Sequence, residues 1–306
     1  ERKSSQFYQS SGSNSSIRQA IKHRSSDKQA TGEAIYVDDM PHYDNELTVG
    51  WVLSSKAKAR ILRVDSSKAL AQRNVLDFLD IHALKGTTFD NTFQLVDRRD
   101  ERIFAEGEVH CVGQIIGIVL VEGTLEEARR AAGLVEVVYE DASDKAILSI
   151  EDAITHESYY TLDSDGSLST VKGKGRPHEV LEEEGIQVME GSMRTGAQDH
   201  FYLETHSALV VPKDGDEMDV YSSTQNPGLV QHTISQAIGI PEHKIFSHIK
   251  RMGGGFGGKQ RSMPYTLPLA IAARIHGRPV RMMLDRDEDM LMTGQRHPFL
   301  ANYKIG

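Results

Sequence analysis

The apolar positions in the first half of the chain predict short strands that alternate with helices. Residues 47–53 and 75–79 are strand-like, and residues 111–121 are almost continuously apolar, which is typical of a strand buried on both faces. Thr124 and Glu127 form a capping-box pattern that begins the next helix. The other elements predicted here are strands at 34–37 and 134–139 and helices at 66–73 and 128–132.

The second half of the chain shows the same mixture of strands and helices. Asp214 and Gly215 lie between two apolar runs, 208–212 and 218–222, and this spacing predicts a β-hairpin. Gly239 and Gly277, each followed within two residues by a proline, mark the ends of two helices. The elements predicted here are helices at 229–238 and 267–275 and further strands at 186–194, 244–251, 280–284 and 299–305.

These elements together predict an α+β fold in two domains, because 306 residues exceed what one compact core usually contains. We assign residues 1–28, which are polar and contain nine serines, to a linker. The first domain is expected at 29–150, a polar connecting segment at 151–184, and the second domain at 185–306. The chain stops within an apolar strand, so we expect the second domain to be truncated.

Charge and cysteine content exclude several classes of protein. Lys and Arg number 35 against 44 Asp and Glu, a net charge of −9, which argues against a nucleic-acid-binding surface. No apolar run approaches about 20 residues, so the sequence predicts no membrane span, and the polar, Ser-rich residues 1–19 predict no secretory signal. Cys111 is the only cysteine, so a disulfide framework or a self-contained iron–sulfur cluster is excluded within this chain. We expect Cys111 to be a buried strand residue, and the compartment to be cytoplasmic, with the peroxisome as the alternative.

The most informative segment for function is the glycine-rich run RMGGGFGGKQ at residues 251–260. Glycine is entropically costly, so this run indicates a backbone that takes positive φ or approaches a ligand closely, as in an anion-binding nest. Gly253, Gly255 and Gly258 fit the dinucleotide pattern G-x-G-x-x-G. Lys259 completes a P-loop except at its last position, where Gln260 replaces Ser or Thr. A glycine-rich turn without a ligand is the remaining alternative.

Several further segments, in collinear order with this run, resemble the xanthine dehydrogenase and aldehyde oxidase family. Those in the second half are AQDHFYLET (197–205), YSSTQN (221–226) and LDRDEDMLMTGQRHP (284–298). Upstream, TGEAIYVDD (31–39) and VGQIIG (112–117) resemble the α/β hammerhead domain of the same family. The resemblance implies a hammerhead domain at 29–150, followed by the N-terminal part of a molybdopterin-binding α+β domain.

The resemblance also implies a cofactor and a set of contacts. Gln225 is expected to donate a side-chain hydrogen bond to the apical oxygen of molybdenum. The backbones of Phe256 and Gly257 are expected to lie beside the same oxygen and the pterin, and Gly254 and Gly255 to permit that approach. No catalytic residue is expected within this chain, because the family's general base lies outside it. In the complete enzyme, 2Fe–2S clusters and FAD are implied to pass electrons to NAD or oxygen.

One departure from the family pattern concerns the substrate. Family members that act on purines usually carry Glu at the position of Gln260, which is the candidate substrate contact here. Glutamine keeps the shape of glutamate and can still form hydrogen bonds, but it cannot ionise. The rest of the sequence resembles xanthine dehydrogenases more than aldehyde oxidases, so oxidation of hypoxanthine and xanthine to urate, with water as the oxygen source, is the first hypothesis. Gln260 makes an aldehyde oxidase-type activity the second. The other hypotheses are a P-loop or dinucleotide-binding enzyme and a scaffold fragment that is inactive alone.

Partners and the remaining polar residues complete the predictions. We expect the chain to work with the other domains of the same enzyme, as a homodimer. His200 and His206 are interpreted as structural residues, since their spacing is not that of metal ligands. Glu204 is expected to make structural hydrogen bonds. The charged run at 285–289 is expected to be a solvated face.

Overall fold

The fold is described from a computed structural model of the chain. The structure describes residues 4, 5, 7, 19–95, 98–142, 146–159 and 175–306. Most of the predicted linker and residues 160–174 of the predicted connecting segment lie outside the described residues. None of the described helices is long and apolar enough to cross a membrane.

The described chain contains helices and strands throughout its length. The helices are α1 (Ser26–Thr31), α2 (Ser67–Leu70), α3 (Leu125–Ala132), α4 (Ile150–Thr155), α5 (Pro177–Val180), α6 (Pro227–Ile238), α7 (Met263–His276) and α8 (Arg286–Met292). The strands are β1 (Leu47–Leu53), β2 (Ala59–Asp65), β3 (Val75–Asp80), β4 (Thr92–Leu95), β5 (Arg98–Arg102), β6 (Glu108–Val109), β7 (Ile115–Val121), β8 (Glu136–Asp141), β9 (Met189–Thr195), β10 (Ser207–Pro212), β11 (Met218–Ser222), β12 (Ile245–His248), β13 (Val280–Met283) and β14 (Phe299–Ile305). The mixture is the α+β class that the sequence predicts.

A seven-stranded sheet forms the centre of the molecule, in the order β12-β11-β10-β13-β1-β7-β3. Its two halves meet where β1 pairs in parallel with β13, Leu47 opposite Val280. The predicted hairpin is present, with β10 and β11 antiparallel around Asp214–Asp216. The sheet therefore contains strands from both sides of the predicted connecting segment, and the two predicted domains share one hydrogen-bonded framework.

The apolar run of the first half forms the interior of this sheet. Every residue of β7 is buried, and β7 pairs antiparallel with β1 on one side and β3 on the other. The helix α3 packs on β1 at Gly50, where a Cβ atom would lie 2.1 Å from the carbonyl oxygen of Ala128. Thr124 and Glu127 form the predicted capping box at the start of α3. Close helix–strand contact is possible because Gly50 has no side chain.

The helices α6 and α7 cover the part of the sheet that carries the candidate site. Asn226 caps α6 by accepting a hydrogen bond from the backbone N–H of Leu229, and Gly239 ends it in a left-handed conformation with φ of 71°. α7 ends in the same way at Gly277, with φ of 63°. Both helices pack against each other and contribute to the main hydrophobic core. Their N-terminal ends follow the two segments from which the site is built.

Two sequence predictions in the first half are wrong. Residues 34–37 are not a strand, because the carbonyls that follow are bound by a side chain instead of a neighbouring strand. The buried guanidinium of Arg281 donates to the carbonyl oxygens of Val37 (3.2 Å) and Met40 (3.1 Å) and to Glu46 Oε1 (2.6 Å). Cys111 is exposed, because the strand begins only at Ile115, after a turn.

Candidate functional site

The glycine-rich run forms a loop between β12 and α7, and its backbone takes unusual conformations. Gly254 and Gly257 both have φ of 97°, a region that L-residues rarely adopt. Phe256 has φ of 50° although it carries a side chain, and that side chain is 75% exposed. A left-handed phenylalanine with so little packing is a strained position of the kind that concentrates at functional sites.

Three of the glycines allow neighbouring residues to approach the loop closely. A Cβ atom on Gly253 would lie 2.5 Å from Cβ of Glu204, and one on Gly255 would lie 2.7 Å from Cδ of Gln225. A Cβ on Gly258 would lie 2.7 Å from the Tyr202 ring. The loop therefore lies directly against residues 202–204 and against Gln225, the segments in which the sequence resemblance was found.

Gln225 follows β11, and the loop fixes its carboxamide. The backbone N–H groups of Gly257 and Lys259 donate to Oε1 of Gln225 at 2.9 and 3.3 Å. The backbone N–H of Gln225 donates to the carbonyl of Lys259 at 2.9 Å. Two facing donors require the oxygen of the carboxamide on that side. The NH₂ group of Gln225 is consequently left without an acceptor among the described residues.

The loop also carries backbone donors that the protein does not use. Within the part of the chain that the structure describes, the N–H groups of Gly254, Gly255 and Phe256 have no hydrogen-bond acceptor. Gly255 is buried, and unpaired buried N–H groups are rare in proteins. Adjacent free N–H groups beside a free carboxamide NH₂ fit an anionic or oxo-bearing ligand.

Behind the loop, Lys259 and Glu204 form a buried ion pair. Nζ of Lys259 donates to Oε2 of Glu204 at 2.7 Å, and the same oxygen accepts from the backbone N–H of Gly253 at 2.7 Å. The Lys259 side chain is 0% exposed, and its Nζ lies 4.7 Å from the centroid of the Tyr202 ring. Burial lowers the pKa of Lys259, and the hydrogen bond to Glu204 opposes that change. The prediction of structural hydrogen bonding by Glu204 is confirmed.

This pairing contradicts the P-loop hypothesis. A P-loop lysine must extend its ammonium toward the phosphates of a bound nucleotide. Here the ammonium points away from solvent and is held by Glu204. The glycine pattern and Lys259 match the P-loop as a string of letters, but not as an arrangement of atoms.

A second buried network connects this region to α8. The hydroxyl of Tyr202 donates to Oδ1 of Asp289 at 2.7 Å, and the backbone N–H of His206 donates to Oδ2 at 2.8 Å. The prediction of a solvated face at 285–289 is therefore wrong for Asp289, which is buried. Burial, followed by the charge of Lys259, lowers the pKa of His206 to about 3. His206 packs against the rings of Tyr202 and Tyr265, the structural role predicted for it.

Clefts lie on both sides of the loop. One, of about 760 Å³, is lined by Gly253, Gly254 and Phe256 together with Tyr36 and Asp38 from the first half of the chain. The other, of about 510 Å³, is lined on the loop side by Gly257 and Gly258. His200, Arg261 and His297 also line that second cleft. A ligand bound at the loop can therefore contact residues from distant parts of the sequence.

The fold brings the predicted cofactor-binding residues together, and Gln260 lies just after them in the chain. Gln225, Gly254, Gly255, Phe256 and Gly257 lie within one loop and the residue packed against it. Gln260 lies in the short 3-10 helix Gly258–Arg261 that follows, and it is exposed. Its backbone N–H donates to the carbonyl of Gly257 at 3.3 Å.

Comparison with known proteins identifies the family. The a/b hammerhead domain of aldehyde oxidase and xanthine dehydrogenase matches residues 31–143, and the molybdopterin cofactor-binding domain matches residues 163–306. The chain belongs to the xanthine dehydrogenase and aldehyde oxidase family. Xanthine dehydrogenase from Drosophila subobscura is 47% identical over 284 residues, which are 92% of this chain and 20% of that protein. Aldehyde oxidase 2 from Cavia porcellus is 41% identical over 292 residues, 95% of this chain and 21% of that protein.

The fold has a counterpart among solved structures of the family. The aldehyde oxidoreductase from Desulfovibrio desulfuricans ATCC 27774 matches with a TM-score of 0.78 at 20% identity, over 93% of this chain and 32% of that one. This likeness confirms the fold. The chain spans about a fifth of the length of the curated relatives reported above.

Sequence reasoning missed which buried side chains pair with one another to support the loop. Tyr202 and Asp289 are 87 residues apart, and Glu204 and Lys259 are 55 apart, so spacing gives no indication that they meet. The sequence offered two signals: Lys259 directly after five glycines, and Glu204 after the apolar residues 201–203. They indicate that both charges need a partner, but not which one.

Proposed function

We propose that this chain is the molybdenum-cofactor-binding portion of a xanthine dehydrogenase-type hydroxylase. The complete enzyme would oxidise purines, hypoxanthine and xanthine to urate, with water as the source of oxygen. It would pass electrons through 2Fe–2S clusters and FAD to NAD or oxygen, and would act as a homodimer in the cytoplasm. The matches to the molybdopterin cofactor-binding domain and to the hammerhead domain support this proposal.

The observation that carries the proposal is the set of unused donors at the loop. The carboxamide NH₂ of Gln225 and the N–H groups of Gly254, Gly255 and Phe256 have no acceptor among the described residues. A metal-bound oxo group is an acceptor, and fixed donors around it need no reorganisation when a ligand binds. The residues present therefore fit the cofactor of the family.

Each loop residue has a distinct task in this proposal. The NH₂ of Gln225 would donate to an oxygen ligand of molybdenum, while its Oε1 continues to accept from Gly257 and Lys259. The backbones of Phe256 and Gly257 would face the same oxygen and the pterin, and Gly254 and Gly255 would leave room for them. When bound, the molybdenum cofactor would supply the oxygen-transfer and redox chemistry. The general base is expected outside this chain.

The direct test is analysis of the complete enzyme for metal, pterin and activity. We expect molybdenum and molybdopterin in stoichiometric amounts, and urate formation from xanthine. Residues 1–306 alone are expected to form no urate. Absence of molybdenum from active full-length enzyme, or a nucleotide bound at residues 253–258, would overturn the proposal.

An aldehyde oxidase-type activity is the second candidate, and Gln260 is the observation that favours it. Gln260 is exposed beside the loop and carries no charge. A hydrogen bond to a charged group contributes about 1.5–3 kcal/mol and a neutral one about 0.5–1.5 kcal/mol, so the difference of about 1–1.5 kcal/mol corresponds to roughly 5- to 10-fold in rate. We expect Gln260→Glu in the full enzyme to raise kcat/KM for xanthine relative to an aldehyde by about that factor.

The matched control for this experiment is Gln72→Glu, which adds the same charge at an exposed position near the end of α2. Gln72→Glu should leave the substrate ratio unchanged. If Gln260→Glu also leaves the ratio unchanged, Gln260 does not contact the part of the substrate where charge matters. If wild-type enzyme prefers the aldehyde, the second candidate replaces the first.

A further inference from the structure

The buried pair Lys259–Glu204 has no role in the proposed chemistry, yet it connects every part of the site. We propose that Lys259 and Glu204 act as a positioning pair that fixes the glycine loop and the Gln225 carboxamide in the arrangement that receives the cofactor. The inference rests on the proposed function, because it concerns the same loop. It concerns two side chains to which the proposed function assigns no contact with the cofactor.

Glu204 holds the first residue of the loop through two separate contacts. Its Oε2 accepts from the backbone N–H of Gly253 at 2.7 Å, and its own backbone N–H donates to the carbonyl of Gly253 at 3.2 Å. The missing side chain at Gly253 is what permits this approach, since a Cβ there would lie 2.5 Å from Cβ of Glu204. The start of the loop is therefore fixed to Glu204.

Lys259 holds the other end of the loop and the residues that lead to Gln225. Its backbone N–H donates to Oε1 of Gln225, and its carbonyl accepts from the backbone N–H of Gln225 and from Oγ1 of Thr224 at 3.1 Å. Its Nζ returns to Oε2 of Glu204, the oxygen that binds Gly253. The two side chains thus close a ring across the base of the loop, and Gln225 is attached to that ring.

Stability alone does not explain this pair. The side chains of Lys259 and Glu204 are 0% and 9% exposed, so both charges have lost most of their hydration. Buried ion pairs are often no more stabilising than apolar residues of similar volume, whereas removal of one partner is strongly destabilising. Oε1 of Glu204 is also buried without a hydrogen-bond partner among the described residues. A costly arrangement that fixes both ends of a ligand-binding loop is consistent with positioning.

The ring of Tyr202 restricts where the ammonium can lie. Nζ of Lys259 is 4.7 Å from the ring centroid, and the Tyr202 hydroxyl is bonded to Asp289 at 2.7 Å. The lysine is therefore confined between a carboxylate and an aromatic face that is itself anchored. This confinement makes the position of the Lys259 backbone, and through it that of Gln225, depend on the ion pair.

The experiment compares single and double variants of the complete enzyme. Lys259→Met and Glu204→Leu alone should each lower Tm by several degrees, since each leaves an unpaired buried charge. The double variant Glu204→Leu/Lys259→Met removes both charges, so its Tm should return close to that of the wild type. Despite the restored Tm, we expect the double variant to contain less molybdenum than the wild type or to show a changed molybdenum EPR spectrum. Its kcat should be about 100-fold lower than that of the wild type.

Two further variants make the result interpretable. Lys213→Met removes a lysine from the ion pair with Asp219 in β11, and it should change neither molybdenum content nor the EPR spectrum. Glu204→Gln keeps the size and an acceptor, so it provides the test if the double variant does not fold. Because its amide oxygen can still accept from Lys259 and Gly253, we expect a smaller fall in Tm than for Glu204→Leu, together with a lower kcat and an altered EPR spectrum.

The outcomes separate this inference from the proposed function. A double variant, or Glu204→Gln, with wild-type molybdenum content, EPR spectrum and kcat would overturn the positioning role and leave the proposed function intact. Wild-type enzyme without molybdenum would overturn the proposed function itself. Loss of cofactor geometry with restored Tm supports the positioning pair.

Discussion

The contact between Gly255 and Gln225 makes a sharp prediction about Gly255→Ala. The new Cβ would lie 2.7 Å from both Cδ and Oε1 of Gln225 and 3.0 Å from its Cγ. Ordinary contacts between nonbonded carbon atoms are about 3.5–4.0 Å, so something must move by roughly 1 Å. The atoms in the way belong to the end of a side chain, so we expect the carboxamide to move and the loop backbone to stay.

The cost to folding follows from the hydrogen bonds that this movement breaks. Oε1 of Gln225 accepts from Gly257 and Lys259 at 2.9 and 3.3 Å, and a displaced carboxamide loses both contacts. Two hydrogen bonds at about 0.5–1.5 kcal/mol each predict a loss of roughly 1–3 kcal/mol in unfolding free energy. The functional loss should be larger. Removal of one preorganised oxyanion-hole donor typically costs about 100- to 1000-fold in kcat, and we expect a loss of that order here.

The assay measures Tm, molybdenum content and kcat in the complete enzyme, for Gly255→Ala and for Gly228→Ala. Gly228 lies near the start of α6, three residues after Gln225, and a Cβ there would meet no atom within 4 Å. That control should be neutral or raise stability by about 0.5–1 kcal/mol. Wild-type kcat and molybdenum content in Gly255→Ala would refute the assigned role of the Gln225 carboxamide.

Two further predictions concern the framework around the site. Gly50→Ala should lower the unfolding free energy by about 1–3 kcal/mol or more, because the new Cβ would lie 2.1 Å from the backbone oxygen of Ala128. The control is Gly133→Ala, for which the atom nearest to the new Cβ would be 3.5 Å away. In denaturant titrations this control should be neutral or slightly stabilising. His206 is neutral when folded because burial lowers its pKa to about 3 from 6.5, so the unfolded chain binds the extra proton between these values. The unfolding free energy should therefore decrease as the pH is lowered from about 6.5 toward 3, by up to about 1.4 kcal/mol per pH unit. His206→Phe should flatten this dependence in unfolding curves measured across that range, and an equally steep profile in the variant would contradict the assignment.

The fold was predictable where local patterns decide it. The strands Leu47–Leu53 and Phe299–Ile305 have the bounds that their apolar runs predict, and the capping box at Thr124 begins α3 as expected. The failures at 34–37 and at Cys111 have a common cause. In both places the apolar run includes residues that do not belong to a strand: Arg281 binds the carbonyl of Val37, and a turn precedes the strand that begins at Ile115.

The arrangement of the central sheet was not predictable from periodicity. The parallel pairing of β1 with β13 joins residues 233 positions apart, Leu47 with Val280. Such a contact depends on the closure of a long loop and on the burial of both strands, and neither is encoded in a local pattern. Only the resemblance to a known family carried information about it.

The candidate site shows why the P-loop pattern misled. In a sequence, Lys259 after five glycines fits a phosphate-binding lysine, because nothing nearby competes for its charge. In the fold, Glu204 supplies a carboxylate from 55 residues away and takes the ammonium out of solvent. With the lysine paired, the groups that Gly254–Phe256 and Gln225 present are uncharged dipoles, namely the N–H groups and the carboxamide NH₂ that have no acceptor among the described residues. Fixed dipoles are sufficient to hold a bound oxo group by hydrogen bonds. A triphosphate, by contrast, needs a cation. The same residues therefore favour a cofactor held by its oxygen over a nucleotide held by its phosphates.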